Sequence, residues 1–311
     1  MKKIIDDKRL IFKCCTLYYK YGINQEDIAD ILKISRPSVT RMIKTGHEFG
    51  IVKIEITNPF DSDFYEMEIE LERKYNLKEV IIVNSGEEIA SETFKFLSRT
   101  LQDGEYVGIS MGMTLRNIVN NMHINDIEQK KCTFIPIVGG IGESRYDIHS
   151  NYISMEFSRI FRAKCLQFFA PLLFSDINIK NKFLQEDSIK NVLETFNKIS
   201  TIIVGIGMPI KKVSTLLNSG YINEKLFDDF VKNGMVGDVA VQFFNKEGDT
   251  KPFDTFNKLV AGMNIEQLKN VQRRICIANG ANKAESVIGA IKGDIINILI
   301  TDVDCANEML N

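Results

Sequence analysis

From residue 79 onward, short apolar runs alternate with amphipathic stretches of helical period, and few folds accept that rhythm. The runs are EVIIV (79–83), YVGIS (106–110), CTFIPIV (132–138), CLQFFA (165–170), STIIVGIG (200–207), VAVQFF (239–244), RICIAN (274–279) and NILITD (297–302). Continuous apolar strands alternating with helices call for a largely parallel sheet covered on both faces, an α/β fold. Several of these strands run straight into glycine: Met111-Gly112-Met113-Thr114, Gly139-Gly140-Ile141-Gly142, Ile206-Gly207 and Asn279-Gly280. If the strands are parallel, the four loops collect at one carboxyl edge, where open α/β sheets bind ligands. The first loop carries the sharpest chemistry. Ser110-x-Gly112-x-Thr114 followed by the helical pattern TLRNIVNNM places two hydroxyls and unobstructed backbone N–H groups at a helix N-terminus, which suits a phosphate dianion. A glycine after a strand equally serves a tight turn with no ligand at all.

Ahead of this region, Asn24 to Gly50 reads as two short helices joined by a tight turn at Lys33-Ile34. Asn24 is placed to cap the first helix, and Ile28, Ala29 and Leu32 form its apolar stripe. Ser35 is placed to cap the second, with Pro37 in the first turn where no backbone donor is needed. At about 100° per residue, Val39, Met42, Ile43 and Gly46 share one side, while Pro37, Thr40, Arg41, Lys44 and Thr45 share the other and Arg36 and Ser38 flank it. A cationic, hydroxyl-bearing outer face after such a turn is what a recognition helix in a DNA major groove needs; it also fits any αα-hairpin with a solvated cationic face. The surroundings favour DNA. An apolar helical pattern over Arg9–Tyr19 precedes the pair, and IVKIEI (51–56) follows with the alternation of one wing strand. Residues 1–57 hold 11 Lys and Arg against 7 Asp and Glu, a net +4 in a chain of net −2, so the cationic charge is local.

The chain of 311 residues, 44% hydrophobic, has room for one small and one large core. Asn58-Pro59 and Ser62 mark a break, giving a winged helix-turn-helix domain at 1–57, a linker at 58–63 and a larger domain at 64–311. The larger domain opens with an amphipathic helix carrying Phe64, Met67, Leu71 and Tyr75. No run of 18 apolar residues and no export signal is evident, and six cysteines without C-x-x-C spacing read as buried thiols in a reducing cytoplasm. No metal or cofactor is expected.

Together LYYKYGINQEDIADILKISRPSVTRMIKTGHEFGIVKIEI resembles the helix-turn-helix head of the SorC family of sugar-responsive bacterial transcriptional regulators. Later segments resemble that family's effector domain in order: SMGMTL for S-W-G-x-T-L, IPIVGGIG for P-L-V-G-G-x-G, GIG at 205–207, GMVGD at 234–238, and the closing IANGANKAESVIGAIKGDIINILITDVDCANEML. The resemblance covers essentially the whole chain. It implies a doubly wound α/β effector domain resembling sugar-phosphate isomerase and deaminase folds, a phosphorylated sugar effector, double-stranded operator DNA as partner, and a homotetramer or homodimer. It also implies that Ser110, Gly112 and Thr114 hold the phosphate with Lys283 as counter-charge, that Gly139, Gly140 and Gly142 line the sugar, and that Asp238 accepts its hydroxyl hydrogens. Met113, Gly207, Asn279 and Gly280 belong to the same loops and complete the candidate site. Lys283 also fits a plain solvated charge at a helix start. The chain departs from the family pattern at Met111 (usually Trp), Met113 (often small or hydroxyl), Gln242 (commonly Arg) and Asn279 (frequently Gly). Fewer cations favour a monophosphate or an unusual sugar over a bisphosphate.

Three functions compete. A regulator needs both halves of the chain; in it, Arg36, Pro37, Ser38, Thr40, Arg41 and Lys44 would face DNA. A sugar-phosphate isomerase or deaminase fused to a DNA-binding head would need an acid–base pair. Asp238 or Asp302 could supply a base, but His47, His123 and His149 are the only imidazoles and no pair stands out. A constitutive architectural DNA binder would have no use for a glycine-looped α/β domain.

Overall fold

The computed structural model describes residues 7–55, 64–122, 129–140 and 145–311. The chain forms two compact units, residues 1–61 and 62–311. The linker expected at 58–63 lies outside the described residues.

In the smaller unit, helices α1 (Lys8–Cys15), α2 (Gln25–Leu32) and α3 (Arg36–Glu48) enclose one core. Asp7 caps α1 by accepting from the Arg9 and Leu10 N–H groups, and α1 runs on through a π-type turn at Thr16–Lys20. Asn24 caps α2, accepting from Glu26 and Asp27 at 3.0 and 2.9 Å, and the helix stops at Lys33 in the left-handed region. Val39, Met42, Ile43 and Gly46 are buried against Ile11, Cys14, Cys15, Ile28 and Ala29, as the helical spacing requires. A side chain at Gly46 would meet Cys15 Sγ at 2.4 Å, so only glycine lets α1 and α3 touch there.

Two local expectations fail. Ser35 does not cap α3: its hydroxyl is shared with Ser38 Oγ at 2.9 Å, and no side chain caps the helix. The wing strand is not formed over 51–55. The Val52 N–H returns to the Gly46 carbonyl at 3.1 Å, Ile51 and Val52 pack on the helical core, and no second strand is present among the described residues of this unit to build a ladder. An alternating segment without a partner has no reason to extend.

Among its described residues the larger unit has nine strands: β1 (Glu79–Val83), β2 (Tyr106–Ile109), β3 (Thr133–Pro136), β4 (Lys164–Cys165), β5 (Ile199–Gly205), β6 (Met235–Val239), β7 (Gln242–Asn245), β8 (Arg273–Ile277) and β9 (Ile298–Asp302). Seven form one sheet in the order β1-β9-β8-β5-β2-β3-β4, with every pairing parallel. Alternate residues enter two separate cores: Ile202 and Val204 on one face, Ile203 on the other. Helices α5 (Ile89–Thr100), α6 (Met113–Asn121) and α7 (Ser150–Ile160) cover one face. Helix α4 (Tyr65–Tyr75) and helices Ala284–Lys292 and Val303–Leu310 cover the other. Both faces are therefore sealed, as near-continuous apolar strands demand.

Two apolar runs behave differently. CLQFFA contributes only Cys165, the second residue of the two-residue β4, and VAVQFF is broken at Ala240-Val241 into the antiparallel β6–β7 hairpin, outside the main sheet. The sheet edges are managed by chemistry. At the β1 edge, Glu72 and Glu68 of α4 accept the Val80 and Ile82 N–H groups, both at 2.9 Å, so the free rim of the strand is satisfied in place. β4 is too short to template another strand.

Across the middle of the sheet, at the edge where the strands begin, Glu105 ties three strands together. It is buried, and it accepts from Ser200 and Thr201 on β5 at 2.7 and 2.5 Å and from the Arg273 guanidinium on β8. Arg273 donates onward to the Thr100 carbonyl at 2.8 Å. Burial opposes ionisation of Glu105, yet the hydrogen bonds from Thr201, Arg273 and Ser200 outweigh it and hold the carboxyl below the usual range. Glu105→Ala should cost about 3 kcal/mol in denaturant unfolding, because Arg273 is left half-buried without its partner. A lowered folded pKa gives stability present at neutral pH and lost as acid protonates the group. Glu105→Gln should therefore lose stability at pH 7, and the gap from wild type should narrow below about pH 4; parallel curves across that range would show that the clamp is not electrostatic.

Candidate functional site

The strand order sets where a ligand can enter. From β2 the chain moves outward through β3 and β4, whereas from β5 it moves the opposite way through β8 and β9. β2 and β5 are neighbours, so the loops leaving them diverge to opposite faces and open a crevice beyond their carboxyl ends. A cavity of about 880 Å³ occupies this place.

On one side α6 begins. Gly112 sits at φ 131°, a conformation closed to other residues, and no side chain caps the helix, so its first N–H groups and the Thr114 side chain face the cavity. Thr114 lies over β5: a side chain at Gly205 would meet its Cβ at 3.4 Å. Opposite, Asp238 at the end of β6 rests directly on Gly207, where an added Cβ would fall 1.8 Å from Oδ1. The Gly207 N–H donates to the Asp238 carbonyl at 2.8 Å. Lys283 donates to the Ile206 carbonyl and keeps further donors for a ligand. Among the described residues of the cavity wall, the charged groups are Lys283, Asp238 and Glu87.

Asp238 and Lys283 share a protein-enclosed environment that penalises both charges. Burial pushes the Asp238 carboxyl up to about 6, against the pull of Lys283 and of the Val241 N–H, which donates to Oδ2 at 3.3 Å. Burial lowers the Lys283 ammonium, with Asp238 opposing. The turn that supplies the Val241 N–H is unusual: Ala240 and Val241 both have positive φ, 49° and 63°, and both are buried in the cavity wall. A β-branched residue in that region is under steric strain.

The structure gathers Gly112, Met113, Thr114, Gly207, Asp238, Asn279, Gly280 and Lys283 around the one cavity. Ser110, Gly139 and Gly140 do not line it. Ser110 is buried, its N–H continuing the sheet pairing to Ile203 and its hydroxyl turned to the Met111 carbonyl. Gly139 is a glycine because another chain segment passes against it: a side chain there would sit 2.5 Å from the Pro171 carbonyl oxygen. The Gly140 N–H donates to the Ala170 carbonyl at 2.9 Å, and a side chain there would press on the His149 side chain at 3.2 Å. Gly142 lies outside the described residues. Asp302 is occupied elsewhere; both its oxygens accept from the Gly280 N–H at 2.9 Å, and it caps the last helix at Cys305. Sequence reasoning passed over Asn117 and Asn121, which line the cavity from the Thr114 face of α6, and Ser214 and Thr215, which follow β5. The signal was present: 114, 117 and 121 share one side of a helix at i, i+3 and i+7.

On the smaller unit, Arg36, Pro37, Thr40, Arg41 and Lys44 are exposed along α3, and Ser38 is half-buried. The hydroxyls are engaged locally: Thr40 donates to the Gln25 carboxamide oxygen at 2.6 Å, and Ser38 shares its proton with Ser35. Gln25 thereby joins this surface, a residue that helix periodicity alone did not single out.

The described geometry has counterparts among known proteins. Residues 62–311 match the model of the putative sugar-binding domain family. The chain is 27% identical to the deoxyribonucleoside regulator of Bacillus subtilis over 98% of both chains, and 28% identical to the sorbitol operon regulator of Klebsiella pneumoniae, again over 98% of both. The crystal structure of full-length SorC from Klebsiella pneumoniae superposes with a TM-score of 0.73 at 28% identity, covering 98% of this chain and all of that one. The putative sugar-binding domain thus spans four-fifths of a chain whose whole length follows known regulators, and the protein belongs to the SorC family of transcriptional regulators.

Proposed function

We propose that this DNA-binding transcriptional regulator responds to a phosphorylated sugar, which binds in the crevice between the β2 and β5 loops and changes operator binding by α3. The observation that carries the reading is the uncapped start of α6 beside Thr114, with Lys283 as cation and Asp238 as carboxylate in the same cavity. One end of that cavity offers donors and a partial positive charge, which fits a phosphate; the other offers an acceptor, which fits hydroxyls. A single lysine in the described wall favours a monophosphate. On the head, the exposed Arg36, Arg41 and Lys44 are the residues for phosphate and base contacts, with Pro37, Ser38 and Thr40 shaping the helix start. One head of this size buries too little surface for operator-level affinity, so the working species is a homodimer or homotetramer in the cytoplasm, with heads in successive half-sites.

A second reading, a sugar-phosphate isomerase or deaminase, is favoured by one observation: a carboxyl raised to about 6 over a sugar-sized cavity is poised as a general base. Asp302, the other sequence candidate, is committed to backbone hydrogen bonds. Purified protein that turns over common sugar phosphates would favour the enzyme; effector-dependent operator release without turnover favours the regulator.

For α3, Arg41→Ala should cost ~1–3 kcal/mol in gel-shift titrations and relax preference at one base pair, whereas Lys44→Ala should weaken all sequences and flatten the salt slope. Unchanged affinity and selectivity in Arg41→Ala would remove it from the interface. For the cavity, Thr114→Ala and Lys283→Ala should each weaken effector binding by about 1.5–3 kcal/mol, moving the effector response of operator binding to higher concentration while leaving effector-free DNA affinity intact. Three superimposed effector titrations would place the phosphate elsewhere. For Asp238, the raised pKa means that the folded state binds the extra proton between the ordinary 3.8 and about 6, so stability falls as pH rises through that window. Asp238→Asn should lack this fall and gain on the wild type as pH rises to 6, read from denaturant midpoints of both proteins across the range; a difference between the two that stays constant through the window would contradict the assignment.

A further inference from the structure

A second cavity, of about 550 Å³, opens on the larger unit, and the effector reading makes no use of it. Its wall includes Gln242 at the start of β7, the loop Gly248–Lys251, and Lys180, Lys258 and Lys269. The carboxylates of this wall are largely committed. Asp254 pairs with Lys258 at 3.3 Å, and Asp249 accepts the Lys251 N–H at 3.0 Å, which leaves Glu266. Apart from Lys258, the lysines are not. Among the described residues, Lys180, Lys251 and Lys269 have no carboxylate within 4 Å. Lys180 is half-buried and donates only to the Lys258 carbonyl, at 2.8 Å. Burial lowers its pKa, the mark of an ammonium held out of water without a counter-ion.

Gln242 adds an independent observation. It is 3% exposed, yet its carboxamide makes no hydrogen bond to any described residue, and it lines this cavity. Buried amides are almost always paired, and the Gln242 carboxamide has only what enters the cavity to pair with. A lysine lacking a counter-ion and an amide lacking a partner thus share one wall. A small anion supplies acceptors to both. Lysine offers a point charge with three donors, which phosphate accepts without geometric demand.

We infer that this cavity is a second anion site, separate from the crevice at the β2–β5 reversal, which takes inorganic phosphate or a small phosphate monoester on Lys180 and Gln242. The hairpin gives the two cavities a common wall: Val241 lines the first, and Gln242, the next residue, lines the second. Volume does not restrict the second cavity to the bare ion, since its size lies in the ordinary range for small-molecule pockets.

The test is equilibrium dialysis of the full chain against radiolabelled inorganic phosphate and, in a second arm, glycerol phosphate. The site predicts two classes of phosphate binding in wild type. Lys283→Gln should remove one class, and Lys180→Gln should weaken the other at least tenfold. Gln242→Leu, which keeps the charge inventory, should reproduce the loss seen with Lys180→Gln. Preference for glycerol phosphate would identify a monoester as the ligand, and equal or better binding of phosphate would identify the free ion. A single class that Lys283→Gln abolishes and neither Lys180→Gln nor Gln242→Leu changes would overturn the second site and leave the effector crevice standing. A single class lost only in Lys180→Gln and Gln242→Leu would keep the second site and count against phosphate in the crevice. No binding in either arm at millimolar phosphate would overturn it outright.

Discussion

The crevice of the larger unit depends on one topological event, the reversal of direction between β2 and β5. A parallel sheet sends each strand's carboxyl end to the same edge, and crossovers of one hand place successive helices on the same face while the chain moves in one direction. When the direction reverses, two neighbouring strands send their chains to opposite faces and no loop covers the gap. The gap must be kept open at one edge while the same strands are held together at the other. Glu105 and Arg273 meet that second requirement, tying β2, β5 and β8 where they begin. The sheet is closed by charge at one rim and open to ligands at the other.

Much of this was legible in the residues, because the constraint is repetitive. Apolar runs interrupted by glycine at one end can hardly form anything but a sheet of this class, and the buried stripe of α3 follows from its spacing. What escaped was local. VAVQFF carries no turn signature, since left-handed turns ordinarily announce themselves with glycine or asparagine, and Ala240-Val241 has neither. Ser35 had the right identity and place for a cap, but a neighbouring hydroxyl at Ser38 competed for it. Gly139 and Gly140 were recognisable as special positions; sequence could not tell a glycine that admits a ligand from one that admits a passing backbone. Asn117 and Asn121 were missed for a different reason, because asparagines on a helix look like solvated surface until the sheet edge is known.

The two units divide the physical problem. The head carries its net positive charge on a small three-helix core whose closest approach is set by Gly46 against Cys15. The larger unit carries the opposite net charge, two apolar cores and the match to the putative sugar-binding domain family. Groups that titrate or pair in the crevice are thus well separated in sequence from the head, and a ligand can influence DNA binding only through a difference in its affinity for alternative arrangements of the protein.

The Ala240-Val241 turn sets a mechanical condition on that influence. A valine held at φ 63° costs on the order of 1–3 kcal/mol relative to relaxed backbone, and the surrounding packing must hold it there. The cavity wall at this point is loaded like a latch under tension: its present shape is not the one that the isolated hairpin would choose. A bound molecule that favoured a relaxed turn would have that strain energy, on the order of 1–3 kcal/mol, working in its favour. A hairpin with glycine at this position would be the easier one to fold, and would hold no such energy in reserve.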